Sequence, residues 1–162
     1  MATTFQIVGH KKSGKTTLLQ EFLMDNSLDS FSVIKHTHTP IEVSTNTDTG
    51  KFFHYSNDVL LLNDEQTIHY QRHLPTSDLE KIEQLQKTTS ADFIVIEGMK
   101  ELDFPKIVLL KPDETPADFD NITNIKYFAT IQGNKSDNVI DIEDEDSRLN
   151  FILNFVREIK ND

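Results

Sequence analysis

The sequence predicts an α/β layered fold: a mostly parallel sheet between helices, with one inserted β-hairpin. Three observations predict it. Short apolar, β-branched runs alternate with segments whose apolar residues recur at helical spacing. One run, DFIVIEG (Asp92 to Gly98), is apolar until its closing acid and glycine, as suits a central parallel strand covered on both faces. And GHKKSGKTTL, Gly9 to Leu18, sets a glycine-containing turn between a strand and a helix.

The elements follow in order. TTFQIVG is a short buried strand ending at Gly9. KTTLLQEFLMDN carries Leu18, Leu19, Phe22 and Leu23 at helical spacing and predicts a helix running to Asn26. FSVIKHTH, Phe31 to His38, reads as a second strand stopped by Pro40. Residues 40–58 are polar around Gly50 and read as a long loop, a kind of segment that tends to be functional or mobile. VLLLNDEQTIHYQRH reads as a hairpin turning near Asn63 to Gln66 and ending at His73. TSDLEKIEQLQKT has a capping start and inward-facing Leu79, Ile82 and Leu85, an amphipathic helix. KIVLLK (Lys106 to Lys111) and IKYFATIQG (Ile125 to Gly133) are two further strands. Acidic DIEDEDS then leads into a final helix with Leu149, Ile152, Phe155, Val156 and Ile159 inward.

The 162 residues predict one domain, 1–162, large enough for a real core. With 16 basic and 27 acidic residues the net charge is −11, which argues against a nucleic-acid backbone or an anionic membrane as partner. Any anion must be held by a local site working against the overall field. There are no cysteines, so disulfides, thiolate nucleophiles and cysteine-based zinc sites are excluded. The first residues lack a basic n-region, and no run approaches the roughly 18 apolar residues of a membrane span. A soluble, cytoplasmic globular protein is the expectation.

Gly9 to Thr16 spell G-x-x-x-x-G-K-T. Backbone N–H groups of residues 11–15 would form an anion-binding nest, with the positive end of the next helix behind it. Lys15 would reach the outer phosphates, and the Thr16 hydroxyl would bind Mg²⁺. Gly9 and Gly14 allow the tight path. A basic turn would be the bland alternative, but the strand before and the helix after favour the phosphate loop. Lys11 and Lys12 add positive charge, for phosphate or for solvent.

Such a loop calls for an acid at a neighbouring strand end, and FIVIEG supplies Glu97, as a metal-supporting or water-orienting group. Lys15 and Glu97 are therefore the candidate catalytic residues, and Thr16 and Glu97 the candidate metal ligands. His36 and His38 lie two apart on a predicted strand, so they would share a face, with Lys35 on the other. Strand C-termini in open parallel sheets face the ligand crevice, so the pair reads either as ligands to metal or phosphate or as solvent-exposed strand-end histidines. Zinc is disfavoured because no third and fourth ligands follow at recognisable spacing. GNKSD, Gly133 to Asp137, resembles the N-K-x-D with which many GTPases read guanine. Asp137 could accept from the base N1–H and N2–H₂, and Asn134 could contact N7 and O6. The same four residues also make an ordinary turn.

Taken together, GHKKSGKTTL, VIKHTH and DFIVIEGMKELDFPKIVLL resemble the molybdopterin-guanine dinucleotide biosynthesis protein B family, with landmarks from about residue 5 to 111. The resemblance implies a three-layer P-loop NTPase fold, usually as a homodimer, that binds GTP and Mg²⁺ with weak intrinsic hydrolysis. It implies a partner, the molybdopterin guanylyltransferase that joins GMP to molybdopterin, with this chain delivering nucleotide or sheltering molybdopterin. Carried over, the phosphate-loop role falls on Gly9, Ser13, Gly14, Lys15, Thr16 and Thr17, with Lys12 beside them. The strand-end motif falls on Lys35, His36 and His38, and the acid–glycine motif on Glu97, Gly98 and Lys100, followed by Pro105 and Lys106.

The chain departs from the family pattern at Thr39, where a third histidine is usual, and at Met99, where Phe is common. Gly50-Lys51-Phe52-Phe53 stands where the family often has Gly-Lys-Asp-Ser. That removes a carboxylate and a hydroxyl, and lowers the expectation of hydrolysis more than of binding. Asp48 and Asp58 are the available substitutes. Two other readings compete: a P-loop small-molecule kinase, disfavoured because Arg72 and Arg157 sit in no arginine-rich lid, and a non-catalytic nucleotide-binding adaptor, favoured by the missing Asp-Ser.

Overall fold

The computed structural model describes residues 1–25, 30–72 and 75–162. Asn26 of the first predicted helix and His73 of the hairpin segment lie outside the described residues. The chain forms two compact units, residues 1–36 with 82–162, and residues 37–81.

The first unit is built on six strands: β1 Thr3–Val8, β2 Phe31–Lys35, β5 Phe93–Glu97, β6 Lys106–Leu109, β7 Ile125–Thr130 and β8 Val139–Asp141. Their order is β2-β5-β1-β6-β7-β8, and all five pairings are parallel. The two strands bearing the phosphate-loop and acid motifs are thus immediate neighbours, with Ile7 opposite Glu97. Helices α1 Lys15–Asp25 and α4 Glu145–Asn161 cover one face. Leu18, Phe22, Ile152 and Phe155 close over Phe5, Ile7, Val95 and Ile107, all buried, and the Phe5 and Phe155 rings meet edge to face at 5.5 Å. Strand alternation sends the next residues to the opposite face. There Ile94 and Ile96 meet Ile82 and Leu85 of α3 (Asp78–Thr88), while Val8, Val108 and Leu110 surround Phe119. The result is the expected three layers. Such unbroken burial on both faces explains why FIVIE and KIVL carry no polar alternation. Arg148 on α4 forms two hydrogen bonds to the Glu21 carboxylate on α1, fixing the two helices together.

The second unit contains α2 Asp48–Tyr55 and the antiparallel pair β3 Asp58–Leu62 and β4 Thr67–Gln71. The hairpin turns where expected. Asn63 Oδ1 accepts from the Glu65 and Gln66 N–H groups at 2.9 and 2.7 Å, an Asx-type turn.

Three expectations are corrected, and two short elements are added. Residues 40–58 are not one loop, because α2 occupies most of the second half. Thr47 caps it, accepting from the Gly50 N–H at 3.1 Å, and Asp48 supplies an acid in its first turn. The second strand stops at Lys35 rather than His38, so strand alternation no longer puts His36 and His38 on one face. Leu79 is exposed, while Ile82 and Leu85 further along α3 are packed in a core. The short strand β8 and a 3₁₀ turn at Pro116–Phe119 appear where the sequence carried no clear signal.

Candidate functional site

The loop between β1 and α1 takes a path that few residues tolerate. Gly9, Lys12 and Gly14 have φ of 148°, 66° and 99°. Gly9 crosses the end of β6 so closely that a Cβ there would lie 2.5 Å from the Leu109 carbonyl oxygen. Alternating backbone handedness of this kind turns N–H groups toward a common centre, the basis of an anion nest. The Ser13 hydroxyl is fully buried without a hydrogen-bond partner, and its N–H donates to the His10 carbonyl at 3.2 Å. Its side chain is therefore sealed into the protein rather than presented to a ligand. Lys15 Nζ donates to the Gly9 and His10 carbonyls, both at 2.9 Å. Beside the loop lies an open cleft of about 290 Å³ lined by Lys12, Gly14 to Thr17 and the Ile131–Gln132 pair. Gln132 Nε2 donates to the Lys12 carbonyl at 2.5 Å.

Glu97 ends β5 against this loop. Its Oε1 accepts from the Thr16 hydroxyl at 3.1 Å and its Oε2 pairs with Lys35 Nζ at 3.3 Å. Lys15, Thr16 and Glu97 are thus brought together as the sequence suggested. Lys35 joins them, which alternation from the histidines had not indicated. Burial lowers the pKa of Lys15 and the Lys35 charge adds to that, while Glu97 and Glu114 oppose it. The turn after Glu97 is held from below. Gly98 and Met99 both have positive φ, 97° and 53°, and fully buried Gln6 donates its amide to both of their carbonyls, at 2.9 and 2.7 Å. Sequence reading missed Gln6. Its signal was a lone amide inside an apolar central strand.

It also missed a second cluster. His10 Nδ1 lies 2.6 Å from Glu114 Oε1, and the His10 ring sits 4.9 Å from Phe119. Asn134 belongs to this cluster. Its Nδ2 donates to the Lys111 and Glu114 carbonyls at 2.6 and 2.7 Å, and its Oδ1 accepts from the Ser136 N–H at 2.8 Å. The whole amide is engaged within the chain, so Asn134 shapes its loop and has no donor left for a purine N7. Asp137 on the same loop is exposed, as are Lys12, Thr17 and Lys100. His36 and His38 are exposed as well, the first ending one unit and the second lying in the other. Lys106 is a structural residue. It is fully buried and donates to the Leu102 and Thr123 carbonyls. In the second unit Asp48 pairs with Lys51 at 3.6 Å, and Asp58 with His69 at 2.7 Å. Arg72 donates to the carbonyls of Phe53, His54 and Ser56. Both carboxylates considered as substitutes, and Arg72, are therefore engaged locally.

A strand that runs through a positive-φ loop into a helix, beside a neighbouring strand tipped by an acid, is the arrangement of P-loop nucleotide-binding proteins. The fold and the site assign the chain to that class. Within it, the chain belongs to the family described as molybdopterin guanine dinucleotide synthesis protein B (MobB), which it matches over residues 4–132. It is 38% identical over 111 residues to a putative molybdopterin-guanine dinucleotide biosynthesis adapter protein of Methanocaldococcus jannaschii, covering 65% of this chain and 46% of that one. It is 33% identical over 114 residues to the adapter protein of Haemophilus influenzae, covering 67% and 64% respectively. The chain thus spans less than two thirds of the length of either relative. In fold it is similar to a MobB homologue from Bacillus stearothermophilus (TM-score 0.73, 22% identity, 96% of this chain and 98% of that one). It is also similar to Bacillus subtilis MobB (TM-score 0.71, 20% identity, 94% and 96%). Among the described residues, no helix is long and apolar enough to cross a membrane.

Proposed function

We propose that this chain is a GTP-binding adapter of molybdenum cofactor biosynthesis that assists the conversion of molybdopterin to molybdopterin-guanine dinucleotide. The observation that carries the reading is the Thr16–Glu97 contact at 3.1 Å beside Lys15. A hydroxyl and a carboxylate are the hard oxygen donors that Mg²⁺ prefers, so these two residues would hold the ion, which would neutralise phosphate charge. The loop N–H groups and Lys15 would take the β- and γ-phosphates, and Asp137 would accept from the guanine edge. Asn134 supports that reading indirectly, by shaping the loop that bears Asp137. Hydrolysis is slow or absent in this proposal. Phe52 and Phe53 replace the family's acid and hydroxyl, and Arg72 is committed to carbonyls of its own unit. The adapter acts as a homodimer in the cytoplasm, with molybdopterin guanylyltransferase as its partner protein and molybdopterin as the partner's substrate.

The test is calorimetric titration of GTP and ATP, with and without Mg²⁺, on wild type and Lys15→Ala. GTP is expected to bind preferentially in the micromolar range, with Mg²⁺ dependence, and to be lost in the variant. Equal affinity for ATP, or unchanged GTP affinity in Lys15→Ala, sinks the assignment.

A further inference from the structure

We propose that Glu114 is a positioning residue for base selection, which ties the phosphate loop to the loop carrying Asp137. This rests on the reading of Asp137 as the guanine acceptor. Glu114 makes contacts in both directions. Toward the phosphate loop, its Oε1 meets His10 Nδ1 at 2.6 Å. Toward its own turn, Oε2 accepts from the Lys111 N–H at 2.8 Å, and Lys111 Nζ lies 3.4 Å from Oε1. Toward the base-reading loop, its backbone carbonyl accepts from Asn134 Nδ2 at 2.7 Å and from the Ser136 hydroxyl at 3.4 Å. Asn134 then fixes Ser136, the residue before Asp137, through its N–H. A continuous chain of hydrogen bonds therefore runs from His10 to the neighbour of Asp137.

The chemistry gives this chain a purpose. A nucleotide has a set distance between its phosphates and its base. A carboxylate discriminates guanine from adenine only if it is held at that distance once the phosphates are seated. Glu114 is buried to 8% exposure in a protein already carrying net charge −11, an expensive place for another acid unless both oxygens are satisfied. They are, by His10 and the Lys111 N–H. The Gln132–Lys12 bond joins the same two loops at a second point, so loss of Glu114 loosens the register without detaching the loops.

The test titrates GTP, ATP and inorganic tripolyphosphate into the full chain as wild type, Glu114→Ala, Glu114→Gln and His10→Ala. Glu114→Ala is expected to weaken GTP about tenfold, with tripolyphosphate and ATP changed less than about twofold. Glu114→Gln is expected to keep most of the preference, because its carbonyl can accept from Lys111 and its NH₂ can donate to neutral His10. His10→Ala removes the same tie from the other end, so it should reproduce the selective loss, and the double variant should lose no more. If Glu114→Ala does not fold, as judged by circular dichroism, His10→Ala decides. Equal losses for GTP and tripolyphosphate overturn the proposal, as does a wild-type preference in both Glu114→Ala and His10→Ala. A wild type with no GTP preference overturns the Asp137 reading and this proposal together.

Discussion

The Thr16 hydroxyl reaches the Glu97 carboxylate across 3.1 Å and 81 residues of sequence, joining the first turn of α1 to the end of β5. The other Glu97 oxygen faces Lys35 at 3.3 Å. A cation arriving at this carboxylate would compete with two protein donors, so metal and Lys35 are alternatives at Glu97. Glu97→Gln is therefore expected to leave metal-free nucleotide binding largely intact while cutting the Mg²⁺ enhancement at least about tenfold. Titrations in Mg²⁺ and in chelator check this. An undiminished Mg²⁺ effect would remove Glu97 from the metal shell.

Two glycines with the same backbone handedness should respond differently to substitution. At Gly9 (φ 148°) an added methyl would stand 2.5 Å from the Leu109 carbonyl oxygen, and the backbone of β6 cannot step aside. At Gly98 (φ 97°) nothing lies within 4 Å, leaving the conformational cost alone, about 1–2 kcal/mol. Gly9→Ala is expected to cost more, about 3 kcal/mol or above, and to abolish nucleotide binding. Urea unfolding of the two variants ranks them. A larger loss at Gly98 would contradict the packing described for the phosphate loop.

Lys106 carries an ammonium into the sheet interior to satisfy two carbonyls, those of Leu102 and Thr123. Lys106→Met keeps the length but strands both acceptors, at about 2–4 kcal/mol in all. Burial lowers the Lys106 pKa below the ordinary 10.5, against the opposing pull of Asp103 and Glu101. Between the lowered folded value and 10.5 the unfolded chain binds more protons, so this group's contribution to stability rises with pH in that window. The stability gap between wild type and Lys106→Met should therefore widen as pH climbs toward 10.5. A gap that narrows there would mean the charged form is the favoured one.

What the sequence made legible was whatever a short stretch specifies alone. Short, largely apolar runs announced the central strands β1 and β5, and the phosphate loop and Glu97 were readable because each sits at the end of such a run. Asn63-Asp64 marked the hairpin turn through its own side chain. Contacts across sequence distance stayed hidden. Gln6 under Gly98, His10 on Glu114 and Lys35 on Glu97 join residues separated by 92, 104 and 62 positions. Asn134 shows the converse, since the first residue of a motif with a known ligand chemistry has its amide engaged by backbone groups of its own chain. α2 was missed because Gly50 lowers helix propensity in its first turn. That glycine is buried, and a Cβ there would lie 1.8 Å from the Ser44 carbonyl oxygen, so a packing demand outweighs propensity.

Arg72 explains how so unpromising a helix as α2 is held. Its Nη2 donates to the Phe53 and His54 carbonyls at 2.6 and 2.9 Å, and its Nε to the Ser56 carbonyl at 2.9 Å. Its guanidinium also lies 5.0 Å from the Phe53 ring centroid. These are the carbonyls that a helix end leaves without partners, and a planar cation at the negative end of the helix satisfies several at once. Phe53 contributes to the same arrangement, because its ring lies under the guanidinium and its centroid is 5.9 Å from that of Tyr70 of the hairpin. Arg72→Ala is expected to destabilise the second unit by about 1–2 kcal/mol, and Arg72→Lys should recover little, since an ammonium cannot span the same carbonyls in one plane. Hydrogen exchange reads this out residue by residue, as faster exchange through α2 and β4 with β1 and β5 unchanged. Unaltered protection of α2 in Arg72→Ala would return Arg72 to the pool of arginines free to act on a ligand.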